Sequence, residues 1–307
     1  MKFIIIVSGL CAVFPFWNFI FSGAINYHEQ FQLFLFTGDY FFSRVSVLNL
    51  ALCEKGVIGN RLFEFYQNGG QGLIPKFERD FTTPLSTAEI FLRLGMVNTC
   101  QRYIFEAQEA IPNYRKSGRM IKRLAETNII NGDYEVARKY LELLQNSLFY
   151  KSFADDALTY LNNEDKINNH KFWGEIRKIR YTDDFLFSEA EPDQMFGLLL
   201  MKNASNRMAC DYLISYVLLE KDLQKFLNYY RLCGEAGYKI LPLYYQQALI
   251  FGYFNSHNNS LSGMTDLVSQ SVVNQFKNFV NIYSRNLQSI KSSDLKNSYY
   301  AYLLNLK

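Results

Sequence analysis

Residues 131–141 read Asn-Gly-Asp-Tyr-Glu-Val-Ala-Arg-Lys-Tyr-Leu, and this stretch decides the fold. Its first three residues predict a tight turn, because Asn, Gly and Asp are the residues that favour turns. The residues from Tyr134 onward predict the second helix of an α-hairpin. A short hairpin cannot bury its own apolar face, so recurring hairpins predict a stacked array.

Weaker copies of this stretch occur on both sides of it. Residues 118–151 fit the 34-residue tetratricopeptide pattern well, and residues 81–114 fit its second half nearly as well. An earlier copy centres on residues 48–75, and a degenerate one follows at 213–230. Gly56, Gly95 and Gly132 are 39 and 37 residues apart, close to the ideal period. The sequence therefore predicts an all-α fold, a tetratricopeptide-like α-solenoid of stacked helical hairpins.

Composition limits the class of protein. The chain has 307 residues, of which 49% are hydrophobic and 20% charged, which excludes wholesale disorder. A net charge of +3 is too small to indicate a nucleic-acid partner. The aromatic fraction of 17% is high. These rings are expected to fill the space between helix pairs, and an aromatic-lined ligand groove is the alternative.

The five cysteines, at positions 11, 53, 100, 210 and 233, form no CxxC pair and have no regular spacing. They match neither a disulfide framework nor a zinc site. Each lies in an apolar helical stretch, where cysteine is expected to behave as a small hydrophobic residue. The three histidines are far apart in sequence. We therefore expect no metal and no cofactor.

The N-terminus predicts a membrane segment. Residues 3–25 contain no charge and exceed the roughly 20 residues that span a bilayer as a helix. Lys2 precedes the segment, and no Lys or Arg follows it before Arg44, which predicts a cytoplasmic N-terminus and an exported body. A cleavable signal peptide is the alternative, since Ser22-Gly23-Ala24 offers small residues at a cleavage site.

The remaining chain divides by pattern. Strand signals are scarce, and helical periodicity dominates from about residue 40. The expected organisation is a membrane anchor at 1–25, a juxtamembrane segment at 26–43, tetratricopeptide-like repeats at 44–160, an irregular connector at 161–192, degenerate helical repeats at 193–254 and capping helices at 255–307.

The densest group of basic residues is the best candidate site. Five cations lie within nine residues: Arg115, Lys116, Arg119, Lys122 and Arg123. On a helix, the first, third and fourth share one face, where they are expected to bind an anionic glycan, a phosphate or an acidic peptide. A solvated face paired with neighbouring carboxylates is the alternative.

A second candidate site lies just beyond the membrane segment. Glu29 and Asp39 are placed to form an acidic site at the membrane face, with a solvated turn as the alternative. No phosphate-binding loop, dinucleotide motif, nucleophile elbow or zinc-protease motif is present. We therefore expect no enzyme and assign no catalytic residue.

Nine stretches of the chain form a specific pattern: Tyr27–Phe34, Asn49–Leu52, Phe63–Gly69, Leu73–Pro75, Leu94–Met96, Glu106–Ala107, Ala110–Tyr114, Lys122–Asn128 and Gly132–Leu141. In these stretches the chain resembles a family of uncharacterised Bacteroidetes membrane proteins with a C-terminal tetratricopeptide-like domain. Long members of that family carry many membrane spans before the helical domain. This chain resembles a short form that lacks most of them.

These observations favour a binding protein. We expect a single-pass inner-membrane protein whose periplasmic helical-repeat body is a scaffold for a protein or peptide partner in the cell envelope. One alternative is an accessory or vestigial relative of a multispan enzyme that processes envelope glycans or lipids. Another is a module that binds an anionic ligand.

Overall fold

The fold is known from a computed structural model, which describes residues 41–80, 82–183, 188–236, 238, 240–257, 261 and 268–306. This part of the chain is helical and contains no β-strand, which confirms the all-α part of the predicted fold. The predicted membrane segment, residues 1–25, lies outside it. No helix in the described ranges is long and apolar enough to cross a membrane.

Fifteen α-helices lie in the described residues. They are α1 Phe41–Glu54, α2 Ile58–Arg61, α3 Thr83–Arg93, α4 Val97–Glu109, α5 Gly118–Asn131, α6 Tyr134–Gln145, α7 Lys151–Leu158, α8 Glu164–Asn168, α9 Trp173–Ile179, α10 Pro192–Lys202, α11 Arg207–Leu219, α12 Leu223–Tyr229, α13 Leu243–Ser256, α14 Gln270–Arg285 and α15 Tyr299–Leu303. Residues 161–192, expected to be irregular, thus contain two short helices.

Three helix pairs share one type of turn. Gly56, Gly95 and Gly132, with φ of 65°, 89° and 91°, end α1, α3 and α5 in the left-handed conformation. The amide that follows each glycine donates to the carbonyl five residues earlier, at 2.8–2.9 Å. This pattern is the Schellman motif. The turn between α11 and α12 repeats it, with Lys221 (φ 61°) in the position of the glycine.

The ends of α1, α3 and α5 form a row along one side of the molecule, the turn edge, which is covered by residues 177–181 and 203–207. Arg180 Nη1 donates to the Ile130 carbonyl at 2.6 Å, and Asn206 Nδ2 donates to the Leu94 carbonyl at 3.1 Å. Arg207 Nη2 donates to the Gly56 carbonyl at 3.2 Å. These carbonyls lack partners within their own helices, and cationic donors suit the negative end of the helix dipole.

The C-terminal helices pack back on the first helix pair. The ring of Phe63, which follows α2, lies 4.9 Å from that of Tyr244 and 4.7 Å from that of Tyr302, between ring centroids. Tyr302 Oη also donates to the Leu219 carbonyl at the end of α11, at 2.8 Å. Buried aromatic contacts of this kind add stability beyond the area that they bury. The two ends of the described chain are therefore joined in one body.

One pair of cysteines corrects the sequence interpretation. Cys210 in α11 and Cys233 in the 3₁₀ segment after α12 form a disulfide bond. Both lie in apolar surroundings, as expected, but their chain segments approach each other only in the folded chain, with the Cα atoms 5.6 Å apart. Cys53 and Cys100 are buried free thiols.

Candidate binding surface

The start of α5 divides the predicted basic group. The helix begins at Gly118, so Arg115 and Lys116 lie before it, in the connection from α4. The expectation that Arg115 shares a helical face with Arg119 and Lys122 is therefore wrong. The physical reason is the 3₁₀ turn at Pro112–Tyr114, which precedes an extended backbone at Arg115 (φ −70°, ψ 148°).

The C-terminal part of the basic group is internally paired. Arg123 makes ion pairs of 2.5 Å with Glu89 in α3 and 2.8 Å with Glu126 in its own helix. Glu89 is also 3.1 Å from Arg93, whose guanidinium lies 4.8 Å from the ring of Phe172. These ion pairs link α3 to α5 beneath the Phe172 ring, and we call them the α3–α5 ion network.

The charges of this network depend on one another. Burial alone would raise the pKa of Glu89, but the adjacent Arg123 and Arg93 hold it below its usual value. Burial raises the pKa of Glu126 despite the nearby Arg123 and Lys122. Burial opposes the charge of Arg123, yet Glu89 and Glu126 raise its pKa. Arg123 therefore serves the packing of α3 on α5.

The N-terminal part of the group faces solvent. Arg115, Lys116 and Arg119 are exposed. The connection that carries the first two is held by buried Gln108, which accepts a hydrogen bond from the Ser117 amide at 3.0 Å and donates one to the Arg115 carbonyl at 2.9 Å. These two hydrogen bonds give the loop a defined backbone position.

Three apolar side chains protrude near these cations. Tyr114, with a left-handed φ of 55°, is 97% exposed, and Leu148 and Phe149 in the α6–α7 connection are 89% and 87% exposed. The two connections are neighbours, because a Cβ on Gly118 would lie 2.8 Å from Cδ2 of Tyr150. We define the basic edge as Tyr114, Arg115, Lys116, Arg119, Leu148, Phe149 and Lys151.

A second apolar surface lies on α6. Val136 and Leu143 are 41% and 48% exposed, and the half-buried Tyr140 lies between them on the same side of the helix. The spacing of i, i+4 and i+7 places the three on one face. We call this face the α6 stripe. The helices that follow are short: α7 has eight residues and α8 has five.

A half-open pocket of about 220 Å³ lies between α2, α13, α14 and the segment before α15. Its polar lining consists of Asn60, Glu64, Gln247, Gln275, Asp294, Asn297 and Ser298. Part of this lining is used internally, since Gln247 accepts from the Tyr299 amide and Asn60 accepts from the Leu243 amide. No His, Cys, Asp and Glu side chains in the described ranges form a group that could hold a metal ion.

The predicted site contains the cations but not their apolar neighbours. Tyr114, Leu148 and Phe149 are absent from that prediction, although the polar run Gln145-Asn146-Ser147 before the last two signals a loop. Glu29 and Asp39, the predicted juxtamembrane site, lie outside the described residues.

The chain belongs to DUF6057, a family of unknown function, which it matches over residues 43–305. The predicted resemblance to an uncharacterised family is thereby confirmed at that level. No curated protein and no solved structure matches the chain.

Proposed function

We propose that this protein is a membrane-tethered scaffold in the cell envelope and that the α6 stripe binds a helix of a protein partner. Its body is then a tetratricopeptide-like solenoid with two regular hairpins, α3–α4 and α5–α6, after which the helices become short. The proposal rests on the observation that Val136 and Leu143 are partly exposed on one face of α6. Exposed apolar stripes at i, i+4 and i+7 are typical of helix docking.

The end of the array supports a helical partner. In a regular array the two helices of the next pair would pack on α6 and its neighbour. Here α8 has only five residues and contacts the beginning of α6, where Tyr134 Oη bonds to Glu164. In the part of the chain that the structure describes, the remaining length of α6 thus has apolar side chains and no full-length second helix beside it. A helix of a partner would bury them in the same way.

Two observations support an exported body. Lys2 precedes the uncharged segment 3–25, and no Lys or Arg follows before Arg44. The Cys210–Cys233 disulfide fits an oxidising compartment such as the bacterial periplasm, because cytosolic thiols are kept reduced. The proposed location is therefore the inner membrane, with the body in the periplasm.

Site-specific photo-crosslinking tests the scaffold. Benzoylphenylalanine replaces Leu143 in one strain and Met201, an exposed residue of α10, in another. We expect a reproducible protein adduct from position 143 and none of the same mass from 201. The double variant Val136→Ser/Leu143→Ser should lose the partner in affinity capture while its unfolding temperature stays unchanged. Absence of any reproducible adduct at 143 would refute the proposal.

A further inference from the structure

The basic edge has the chemistry of a membrane-binding surface. Tyr114, Leu148 and Phe149 are nearly fully exposed, so the folded body uses them for little of its own packing. Large apolar side chains at the tips of connections are the kind that enter the boundary between headgroups and acyl chains. Tyrosine suits this boundary because one end of its side chain is apolar and the other is polar.

Cations surround these apolar tips. Arg115, Lys116 and Lys151 are exposed, and none of them forms an ion pair with a carboxylate of the described residues. The sequence contains no Asp or Glu at residues 110–125 or 143–154. Both connections therefore carry cations and no carboxylate of their own, and the nearest carboxylates, Glu109, Glu142 and Asp155, lie in the flanking helices. Such positive charge attracts anionic lipid surfaces.

The position of this edge fits a membrane partner. The helices α1, α3 and α5 end together at the turn edge, so they begin together on the opposite side of the molecule. Phe41 thus lies on the same side as the connection before Gly118, about 20 Å from the Gly56 turn at 1.5 Å per residue. Residues 3–25, the predicted membrane segment, are joined to the body at this side through residues 26–40.

We propose that the basic edge binds the anionic lipid headgroups of the membrane and so fixes the orientation of the body. Tyr114, Leu148 and Phe149 enter the interface, and Arg115, Lys116 and Lys151 contact phosphate groups at the headgroup level. The apolar side chains of the two connections are almost fully exposed and line no groove among the described residues, which suits a flat partner better than an acidic peptide. This proposal uses a different surface from the α6 stripe and is independent of the proposed partner helix.

Photo-crosslinking of the full chain to vesicles tests this. Benzoylphenylalanine replaces Phe149 in one protein and Ile240 in another. Ile240 is also exposed, but it lies near the turn edge, where Asn60 accepts a hydrogen bond from the Leu243 amide. The proteins are mixed with vesicles of phosphatidylcholine, with or without phosphatidylglycerol, and lipid adducts are measured by mass spectrometry.

We expect lipid adducts from position 149 at a yield several times that from position 240. The yield at 149 should be higher with vesicles that contain phosphatidylglycerol than with phosphatidylcholine alone. Arg115→Gln/Lys116→Gln should lower the yield at 149 about thirtyfold, because the two cations together contribute about 2 kcal/mol near an anionic surface and about 1.4 kcal/mol corresponds to a factor of ten. Lys291→Gln/Lys296→Gln, two changes outside the edge, should leave it unchanged. Equal yields at 149 and 240 would overturn the proposal, and so would a yield that does not depend on lipid charge. Adducts formed only with a second molecule of this chain, and none with lipid, would also overturn it.

Discussion

Gly95 lies so close to Ile179 that a Cβ at position 95 would be 2.4 Å from the Ile179 carbonyl oxygen. The same glycine accepts a hydrogen bond from the Tyr181 amide at 2.9 Å. The turn between α3 and α4 is thus covered directly by the backbone that follows α9. Glycine is needed here for its left-handed φ and also for the missing side chain.

Two glycine substitutions should separate the cost of the left-handed φ from the cost of adding a side chain in a crowded position. Gly132 has a similar φ, but a Cβ there would meet no atom within 4 Å. Gly132→Ala should cost about 1–2 kcal/mol of unfolding free energy, the usual penalty of a left-handed alanine. Gly95→Ala should cost about 1–3 kcal/mol more, because the segment after Ile179 must also move. Denaturant unfolding of both variants measures the difference, and equal losses would contradict the close packing.

The α3–α5 ion network makes Arg123 a structural residue. Arg123→Ala should lower the unfolding free energy by about 3 kcal/mol, because it leaves Glu89 and Glu126 without a buried partner. The exposed Arg119 in the same helix is the control, and Arg119→Ala should cost less than about 0.5 kcal/mol. Thermal unfolding of the two variants provides the comparison. Similar losses for both would mean that the network adds no stability.

Reduction of the disulfide should destabilise the C-terminal half. The Cys210–Cys233 bond closes a loop with a sequence separation of 23 residues, for which chain entropy predicts about 3 kcal/mol. A reductant should therefore lower the unfolding temperature of the wild type. The Cys210→Ala/Cys233→Ala variant is the matched control and should unfold at the same temperature with and without reductant. A reductant effect that persists in this variant would point to another thiol.

Asp211 should make stability depend on pH. Burial raises its pKa to about 7, although the nearby Arg207 acts in the opposite direction, and Tyr238 Oη also bonds to the carboxyl group. The folded state therefore holds this proton more tightly than the unfolded chain. The resulting stability is present below about pH 4 and is lost as the pH rises to about 7.

Unfolding temperatures measured from pH 4 to 8 check this. Asp211→Asn cannot lose the proton, so its unfolding temperature should fall less over this range than that of the wild type. Asp183→Asn is a suitable control, because Asp183 is exposed and pairs with Lys202 at the surface. Parallel pH profiles for wild type and Asp211→Asn would contradict the shifted pKa.

The hairpins could be predicted because their signals are local. Gly56, Gly95 and Gly132 end helices through bonds between residues five apart, and such bonds depend on a few neighbouring side chains. Ala125 in α5 and Ala137 in α6, which fit the small-residue positions of the repeat pattern, are fully buried. The cover over the turn edge could not be predicted, because Arg180 and Asn206 reach partners that are 50 and 112 residues away.

The candidate surface was predictable only in part. A run of cations is visible in any sequence, but whether each is paired depends on tertiary contacts such as that of Arg123 with Glu89, 34 residues apart. Leu148 and Phe149 look like core residues by type, and only the fold shows that they protrude. The disulfide was missed for the same reason, since no spacing rule identifies a single pair.

The cover over the turn edge also limits how this protein can change in length. Open repeat arrays gain or lose units because each unit contacts only its neighbours. Here residues 177–181 and 203–207 together reach the turns at Gly56, Gly95 and Ile130. Duplication or deletion of one hairpin would shift these three turns relative to the residues that cover them, so that the same hydrogen bonds could no longer form. The number of hairpins is therefore fixed by the rest of the chain, and variation in this family should collect in the surface connections.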